Sequence, residues 1–354
     1  MASGACSATE RAQRGTTRVS ESLTHAVMAP RLPPPEAIAR FRADLSALGE
    51  VRLPLGVAFS GGPDSLSLLL LAHAAFPGEV RAATVDHGLR PESATEAEHA
   101  EAVCAQLGIP HATLRVEVPS GASVQAHARE VRYGELSGWM AKAAIPTLLT
   151  AHHLDDQAET VLMRLLRGAG VAGLAGIRAR RPLGEAGELL RPLLGWRRAE
   201  LAEIVAHSGL NAVADPSNRN EAYDRVRTRG LFAEAAWLDS VALARSAAAL
   251  ADAEEALQLM TARYLHEAVE ERADHLLLNP AGLPRELRRR LLLHCLRRYT
   301  PAADPRGEQV MDALHALERR QIVTLSGVKL TPAGQAWRIE PAPPRRLAQG
   351  GEIA

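Results

Sequence analysis

A pair of glycines near residue 60 separates a short apolar segment from a helix-like one. The turn consists of Ser60, Gly61, Gly62, Pro63, Asp64 and Ser65. A strand that ends in glycines directly before a helix brings several backbone N–H groups to one point, which suits a pyrophosphate. The spacing fits neither G-x-x-x-x-G-K-[ST] nor G-x-G-x-x-G. The turn therefore predicts a nucleotide site outside those two classes.

An acidic residue, Asp64, stands in this turn where a Walker sequence would carry lysine. A carboxylate beside phosphates needs a cation between them, and Mg²⁺ is the cation that carboxylate and phosphate oxygens share. The hydroxyls of Ser60 and Ser65 and the helix N-terminus would then hold phosphate oxygens. The alternative is that Asp64 is an ordinary helix N-cap.

A second polar stretch follows another apolar segment, over residues 151–160. We expect Asp155 to cap a helix that runs to residue 166. Asp156 and Glu159 are three positions apart and share a face of that helix. Crowded carboxylates need a cation, which an amino-group substrate or Mg²⁺ would supply. Simple capping is the alternative reading of the aspartates.

The histidines beside these carboxylates, His152 and His153, lack the spacing of a metal site. We interpret them as contacts to a nucleotide or to RNA. A further pair, Asp86 and His87, ends another apolar segment.

Short apolar segments alternate with longer segments of helical periodicity from residue 53 onward. Strands are predicted over 53–60, 80–86, 112–118 and 145–151, and helices over 66–75, 93–107 and 123–142. This alternation predicts an α/β fold, a parallel sheet with helices on both faces. Ligands of such sheets bind at the carboxyl ends of the strands, so all the residues named above should meet at one edge.

The chain divides into regions of different composition. We predict a disordered tail over 1–34, with Met28 as an alternative start, a catalytic domain over 35–230, a smaller, mostly helical domain with a short β hairpin over 231–346, and a tail over 347–354. The hairpin would comprise 322–330 and 336–339.

Charge is balanced overall, with 41 basic and 41 acidic residues, but it is unevenly placed. Residues 285–346 carry 13 Lys and Arg against 6 Asp and Glu, whereas 231–284 carry 3 against 9. A basic C-terminal segment suits RNA, and solvated helix faces explain it equally well. Cys6, Cys104 and Cys295 form no C-x-x-C pair, which argues against a disulfide framework, zinc or an iron–sulfur cluster. No secretory signal or bilayer-spanning segment is visible, and we expect a cytoplasmic protein without membrane contact.

Several segments resemble, in order, the tRNA(Ile)-lysidine synthases, which belong to the PP-loop ATP pyrophosphatases. The resemblance rests on 60–65, 85–90, 128–133, 151–170, 173–177, 191–194 and 215–218, and covers 53–229. It implies that ATP adenylates the wobble cytidine of tRNA(Ile) with a CAU anticodon and that the amine of free L-lysine then displaces AMP. ATP, Mg²⁺, L-lysine and this tRNA are the implied ligands. A homodimer is a further expectation, although the sequence does not determine the oligomeric state.

The resemblance also implies roles for individual residues. ATP would contact Ser60, Gly61, Gly62, Pro63, Asp64, Ser65, Asp86 and His87, with Asp64 at Mg²⁺; catalysis and lysine binding would involve Asp156, Glu159, His152, Arg129 and Arg132; tRNA would contact Arg167, Arg225, Arg227 and Arg229. The sequence departs from the family in 225–229, where arginines remain but an expected asparagine is absent.

Two other functions remain open at this point. A PP-loop tRNA thiolase also adenylates a tRNA base, but it depends on paired cysteines. A non-catalytic ATP- or RNA-binding module would have no use for Asp64, Asp156 and Glu159 beside bound phosphates.

Overall fold

The computed structural model describes residues 30–86, 92–116, 124–185, 187–213, 224–235, 237–301 and 305–343. The predicted C-terminal tail, most of the predicted N-terminal tail including Met28, and His87 lie outside these ranges. So do the side chains of Arg129 and Arg225, although both residues lie in described helices. In the part of the chain that is described, no helix combines the length and the apolar composition needed to cross a membrane.

Six strands form the first sheet. They are β1 (Leu55–Ala58), β2 (Val80–Asp86), β3 (His111–Arg115), β4 (Thr147–Leu149), β5 (Arg180–Leu183) and β6 (Gly187–Leu190), in the order β3-β2-β1-β4-β6-β5. All neighbouring pairs are parallel except β5 with β6, which form an antiparallel pair at the edge. The prediction of a parallel sheet is confirmed, and the antiparallel edge is an addition to it.

Eight helices of the described residues accompany these strands along the chain. They are α1 (Pro35–Ala47), α2 (Pro63–Ala75), α3 (Glu92–Leu107), α4 (Val124–Lys142), α5 (Leu154–Leu165), α6 (Val171–Leu174), α7 (Arg198–Ser208) and α8 (Asp224–Glu234). Successive strand residues point to opposite faces. Leu149 accordingly packs into a core with α1, α2 and α7, while Leu148 packs into a second core with α4. The sheet is therefore buried on both sides, and polar groups gather at the strand ends.

The remainder of the chain builds a third core, around an antiparallel sheet. Its elements are α9 (Ser240–Ala268), β7 (Val269–Glu271), β8 (Leu276–Leu278), α10 (Arg285–Tyr299), α11 (Gly307–Glu318), β9 (Val323–Leu325), β10 (Val328–Ala333) and β11 (Ala336–Pro341). The five strands have the order β7-β8-β11-β10-β9. The predicted short hairpin is thus part of a larger sheet. The prediction missed β7, which reads Val-Glu-Glu, and β8, which reads Leu-Leu-Leu, because neither shows the alternation of apolar and polar residues that marks a half-buried strand.

The helix α9 contacts elements of both parts of the chain. It packs against α5 and α6 on one side and against α10 and β7 on the other. The predicted boundary at residue 230 falls inside α8, so the division into domains remains a prediction.

Candidate active site

The turn after β1 has the geometry of an anion cradle. Gly61 has a φ of 78°, a left-handed conformation that favours glycine. Its carbonyl oxygen accepts a hydrogen bond of 2.9 Å from the backbone N–H of Val213. Gly62 is the N-cap of α2 and Pro63 opens the helix, so the first N–H groups of a 13-residue helix face this turn.

The two serines of the turn are held together. Their hydroxyl oxygens lie 3.1 Å apart, and the Ser60 N–H donates to Oγ of Ser65 over 3.2 Å. The Ser65 hydroxyl also donates to the Gly62 carbonyl oxygen over 3.0 Å. Both hydroxyls are therefore positioned at the helix start by the protein itself.

Asp64 does not cap α2, because the N-cap is Gly62 and makes no side-chain hydrogen bond. Its carboxylate instead faces the second polar stretch, 3.5 Å from Nε2 of His153 and 4.0 Å from Nε of Arg198. Burial favours the neutral acid, but the contact with His153 and the charges of His153, Arg198 and Arg229 outweigh it and lower the pKa of Asp64. The group is therefore a carboxylate at neutral pH.

The N-cap of α5 is His153, which corrects the expectation that Asp155 caps this helix. The Asp156 N–H donates to Nδ1 of His153 over 3.4 Å, and the His153 N–H donates to Asp156 over 3.2 Å. Asp155 accepts a 2.8 Å hydrogen bond from the backbone of Arg198. The two aspartates therefore fix the entry of α5 and its link to α7.

His153 is almost fully buried between carboxylates. Its Nε2 lies 3.5 Å from Asp64 and 3.6 Å from Asp156. Burial alone would lower the pKa of His153, but the contact with Asp64 and the charges of Asp156, Asp64 and Asp155 raise it. Because Nδ1 accepts the Asp156 N–H, the ring proton of the neutral imidazole lies on Nε2, which faces the carboxylates of Asp64 and Asp156.

Glu159 also has a partner within the protein. Nε of Arg229 donates to its carboxylate over 2.6 Å, and the same guanidinium lies 3.9 Å from Asp156. Glu159 is 4% exposed and Asp156 is 14% exposed. We refer to Asp64, Asp155, Asp156 and Glu159 as the acidic cluster.

A cavity of about 290 Å³ opens at this edge of the sheet and is called the rim cavity below. Its polar lining consists of Ser60, Asp64, Ser65, Arg132, Tyr133, Thr150, His152 and Asp156. The structure thus brings together residues from the turn, α4 and the start of α5, as the strand-end rule predicts. Glu159 is not part of the lining, and Arg167 and Arg227 are exposed elsewhere.

Sequence reasoning missed three residues of this region, Tyr133, Arg191 and Arg198. Arg191 is 3% exposed and donates to Nδ1 of His152 over 3.2 Å. It follows β6, a strand that the sequence pattern did not reveal. The sequence signal for Arg191 was its place in 191–194, one of the segments that resemble the family, but that segment suggested no role for the residue.

The donors present suit a cation that arrives with phosphates. Within the described residues, no group of three or more His, Cys, Asp and Glu side chains is arranged to hold a metal ion alone. Mg²⁺ is commonly held by one or two carboxylates together with substrate phosphates. The ionised Asp64, beside two preset hydroxyls, fits that pattern.

Comparisons with known proteins agree with this geometry. Residues 38–235 match the PP-loop domain family. The tRNA(Ile)-lysidine synthase of Novosphingobium aromaticivorans is 44% identical over 88% of this chain and 95% of its own length. That of Zymomonas mobilis subsp. mobilis is 42% identical over 83% of this chain and 90% of its own length.

A solved structure shares the fold. The U34-tRNA thiolase NcsA from Methanococcus maripaludis, solved with its 4Fe-4S cluster, has a TM-score of 0.51 and 17% identity. The match covers 61% of this chain and 78% of that chain.

Proposed function

The chain belongs to the tRNA(Ile)-lysidine synthase family, and on that premise we propose that it is an ATP-dependent ligase that makes lysidine in tRNA. In the first step, the carbonyl oxygen on carbon-2 of the wobble cytidine attacks the α-phosphorus of ATP and releases pyrophosphate. In the second, the ε-amine of L-lysine attacks carbon-2 and AMP leaves. The observation that carries this proposal is the meeting of the glycine turn, Asp64 and Asp156 at one cavity.

For the first step, the turn would bind the β- and γ-phosphates. The N-terminal N–H groups of α2 and the hydroxyls of Ser60 and Ser65, which lie 3.1 Å apart, would contact these phosphates. Mg²⁺, when bound at Asp64, would neutralise charge on the phosphates. Gly61, Gly62, Pro63, Asp86 and His87 complete the proposed nucleotide contacts.

Arg132 and Arg129 are proposed to act on the α-phosphate. Arg132 lines the rim cavity. Arg132 and Arg129 both lie on α4. A guanidinium near the α-phosphate stabilises the charge that builds there in the transition state. His152 lines the same cavity and would contact the nucleotide or the base.

For the second step, Asp156 and Glu159 would hold the amino acid. Asp156 is the member of the pair that reaches the cavity, whereas Glu159 is held by Arg229. We therefore propose that Asp156 contacts the ammonium group directly and that Glu159 acts beside it. The ammonium must lose a proton before it attacks, and we assign the acceptor role to the carboxylate of Asp156, which lines the cavity.

The tRNA would extend from the cavity across exposed arginines. Arg167 and Arg227 are exposed, and Arg225 lies on the same helix as Arg227. Arg229 is proposed to contact tRNA as well, in exchange with its present contact to Glu159. These phosphate contacts would position the tRNA and carry no base specificity. A cytoplasmic location and a homodimer stay predictions.

The two cysteines that the structure describes do not support the thiolase alternative. Burial raises the pKa of Cys104 and of Cys295 to about 12. Cys104 lies in the first core and Cys295 in the core around the second sheet. Neither lines the rim cavity, and both thiols are poor nucleophiles and metal ligands when protonated.

The test is nucleoside mass spectrometry of an unmodified tRNA(Ile) transcript with a CAU anticodon. The purified chain, ATP, Mg²⁺ and lysine should yield lysidine, and omission of lysine or ATP should abolish it. A methionine tRNA with the same anticodon serves as the matched substrate control. Pyrophosphate release without lysidine would contradict lysine as the nucleophile, and the absence of both products would favour a non-catalytic binding module.

A further inference from the structure

A second cavity, of about 530 Å³, adjoins the rim cavity. Its charged lining contains four arginines and one glutamate: Arg164, Arg178, Arg181, Arg191 and Glu130. We refer to it as the arginine cavity. Its volume lies within the range of about 300–1,000 Å³ that is typical of small-ligand sites. An excess of positive charge in a concave site favours an anion.

The backbone wall of this cavity is fixed before any ligand binds. Arg164 donates to the carbonyl oxygens of Gly173 and Gly176 over 2.7 and 2.9 Å. The Ile177 N–H donates to the side chain of Gln157 over 2.6 Å. Gly176 has a φ of 67°, and a Cβ there would collide with Gln157. The loop after α6 is therefore held against α5 as a rigid wall.

The guanidinium groups are oriented by specific contacts. Arg191 donates to the Arg178 carbonyl oxygen over 2.5 Å. The guanidinium of Arg181 lies 4.4 Å from the centroid of the Tyr133 ring. Stacking of this kind fixes the plane of the guanidinium and leaves its N–H groups at the edge, where they can bind phosphate oxygens.

The arginine cavity communicates with the rim cavity through shared residues. Tyr133 lines both, and the Arg191 hydrogen bond to His152 joins one lining to the other. The turn residues Ser60, Asp64 and Ser65 line only the rim cavity. The nucleotide phosphates therefore have a site of their own, and the arginine cavity is available to a different anion.

We propose that the arginine cavity binds a phosphodiester of single-stranded RNA next to the base that is modified. This inference rests on the proposed function, because a base that enters the rim cavity brings its own backbone to the cavity beside it. Unstacked RNA is bound through phosphates and through stacking on aromatic and guanidinium planes. Tyr133 and Arg181 provide such a plane at the junction.

The experiment measures binding of an anticodon stem-loop RNA with a CAU anticodon at a series of salt concentrations. Arg181→Gln should weaken binding about 5- to 10-fold and reduce the slope of log K against log salt by about 0.7. Arg181→Lys should keep the slope while losing the stacking. The matched control is Arg81→Gln, which removes an arginine from the other end of β2 and should leave the slope unchanged.

The KM for ATP in pyrophosphate release separates the two phosphate sources. It should remain at the wild-type value in Arg181→Gln. A raised KM for ATP with an unchanged salt slope would overturn the inference and assign the cavity to the nucleotide. An unchanged slope and an unchanged KM would also overturn it.

Lysidine formation by the wild-type chain is measured in parallel. If lysidine forms and the slope is unchanged in Arg181→Gln, the arginine cavity inference alone fails. If no lysidine forms and the slope still falls, the RNA contact stands and the proposed reaction fails.

Discussion

The acidic cluster and the arginine cavity lie side by side, yet their charged side chains have different kinds of partner. The carboxylates of the acidic cluster face cationic or N–H groups of the protein itself: His153, Arg198 and Arg229. The contacts described for Arg164 and Arg191 lead to backbone carbonyl groups and to His152. Buried charge requires compensation. A cationic substrate must therefore replace a protein partner in the first region. An anion in the second region would meet several guanidinium groups, of which Arg178 lies 3.8 Å from Glu254.

The largest expected effect tests whether Asp64 binds Mg²⁺ beside the phosphates or only contacts His153 and Arg198. Asp64→Asn should reduce pyrophosphate release about 1,000-fold, roughly 4 kcal/mol of transition-state stabilisation, because the neutral amide is a weak ligand for Mg²⁺. Pyrophosphate release is measured with RNA and ATP at saturation. Asp155→Asn is the matched control and should stay near the wild-type rate. A wild-type rate in Asp64→Asn would contradict the metal role.

A smaller effect is expected one step later in the reaction. Glu159→Gln should leave pyrophosphate release nearly intact and lower lysidine formation about 100-fold, because the amide cannot balance Arg229 or the ammonium of lysine. The two products are quantified in the same reaction.

Arg229→Gln sharpens the same test. If Glu159 and Arg229 act as a pair, this variant raises the KM for lysine as Glu159→Gln does. If only the KM for tRNA rises, Arg229 contacts RNA and the pair is not part of the lysine site.

The link between the two regions predicts an effect on stability. Arg191→Lys should lower the free energy of unfolding by about 2 kcal/mol, because lysine cannot reproduce the planar set of donors to His152, the Arg178 carbonyl and Tyr133. Urea denaturation measures the change, with Arg81→Lys as the control. Equal stability of the two variants would show that Arg191 is not a structural link.

The smallest effect concerns the charge state of His153. Its pKa should exceed 6.5 in the wild-type chain, so its contribution to stability is complete below pH 6.5 and is lost as the pH rises through the folded-state pKa. Asp64→Asn should lower this pKa, because burial then meets less opposing charge. NMR titration of the imidazole measures both values, and His73, whose pKa burial lowers, is an internal control. An unchanged pKa of His153 in Asp64→Asn would contradict the inference that the charge of Asp64 raises this pKa.

The parts of the fold that could be predicted have local signals. The glycine turn shows in the letters themselves, and strands β1 to β4 alternate with helices at clear intervals. The strand-end rule then placed Asp64, His152 and Asp156 at one edge without any knowledge of contacts.

The missed features depend on contacts between distant residues. Glu159 and Arg229 are 70 positions apart, and no local sequence pattern predicts an ion pair over that separation. His153 is the cap instead of Asp155 because its own backbone is extended, with φ −122° and ψ −178°, whereas Asp155 already lies inside the helix. The arginine cavity combines α4, α5 and β5. Strand β5 reads Arg-Arg-Pro-Leu and has no apolar alternation that would mark it as a strand.

The helix α9 carries one further consequence. It is 29 residues long, about 43 Å of regular helix, and it packs against α5 and α6 as well as against α10 and β7. A helix also sets an angle, because each residue turns the chain by about 100°. Removal of a single residue from its middle would turn the elements packed beyond the deletion by about 100° relative to those packed before it, while shifting them along the helix by only about 1.5 Å. The number of residues in α9 therefore fixes the angle, more than the distance, between the elements that pack along it.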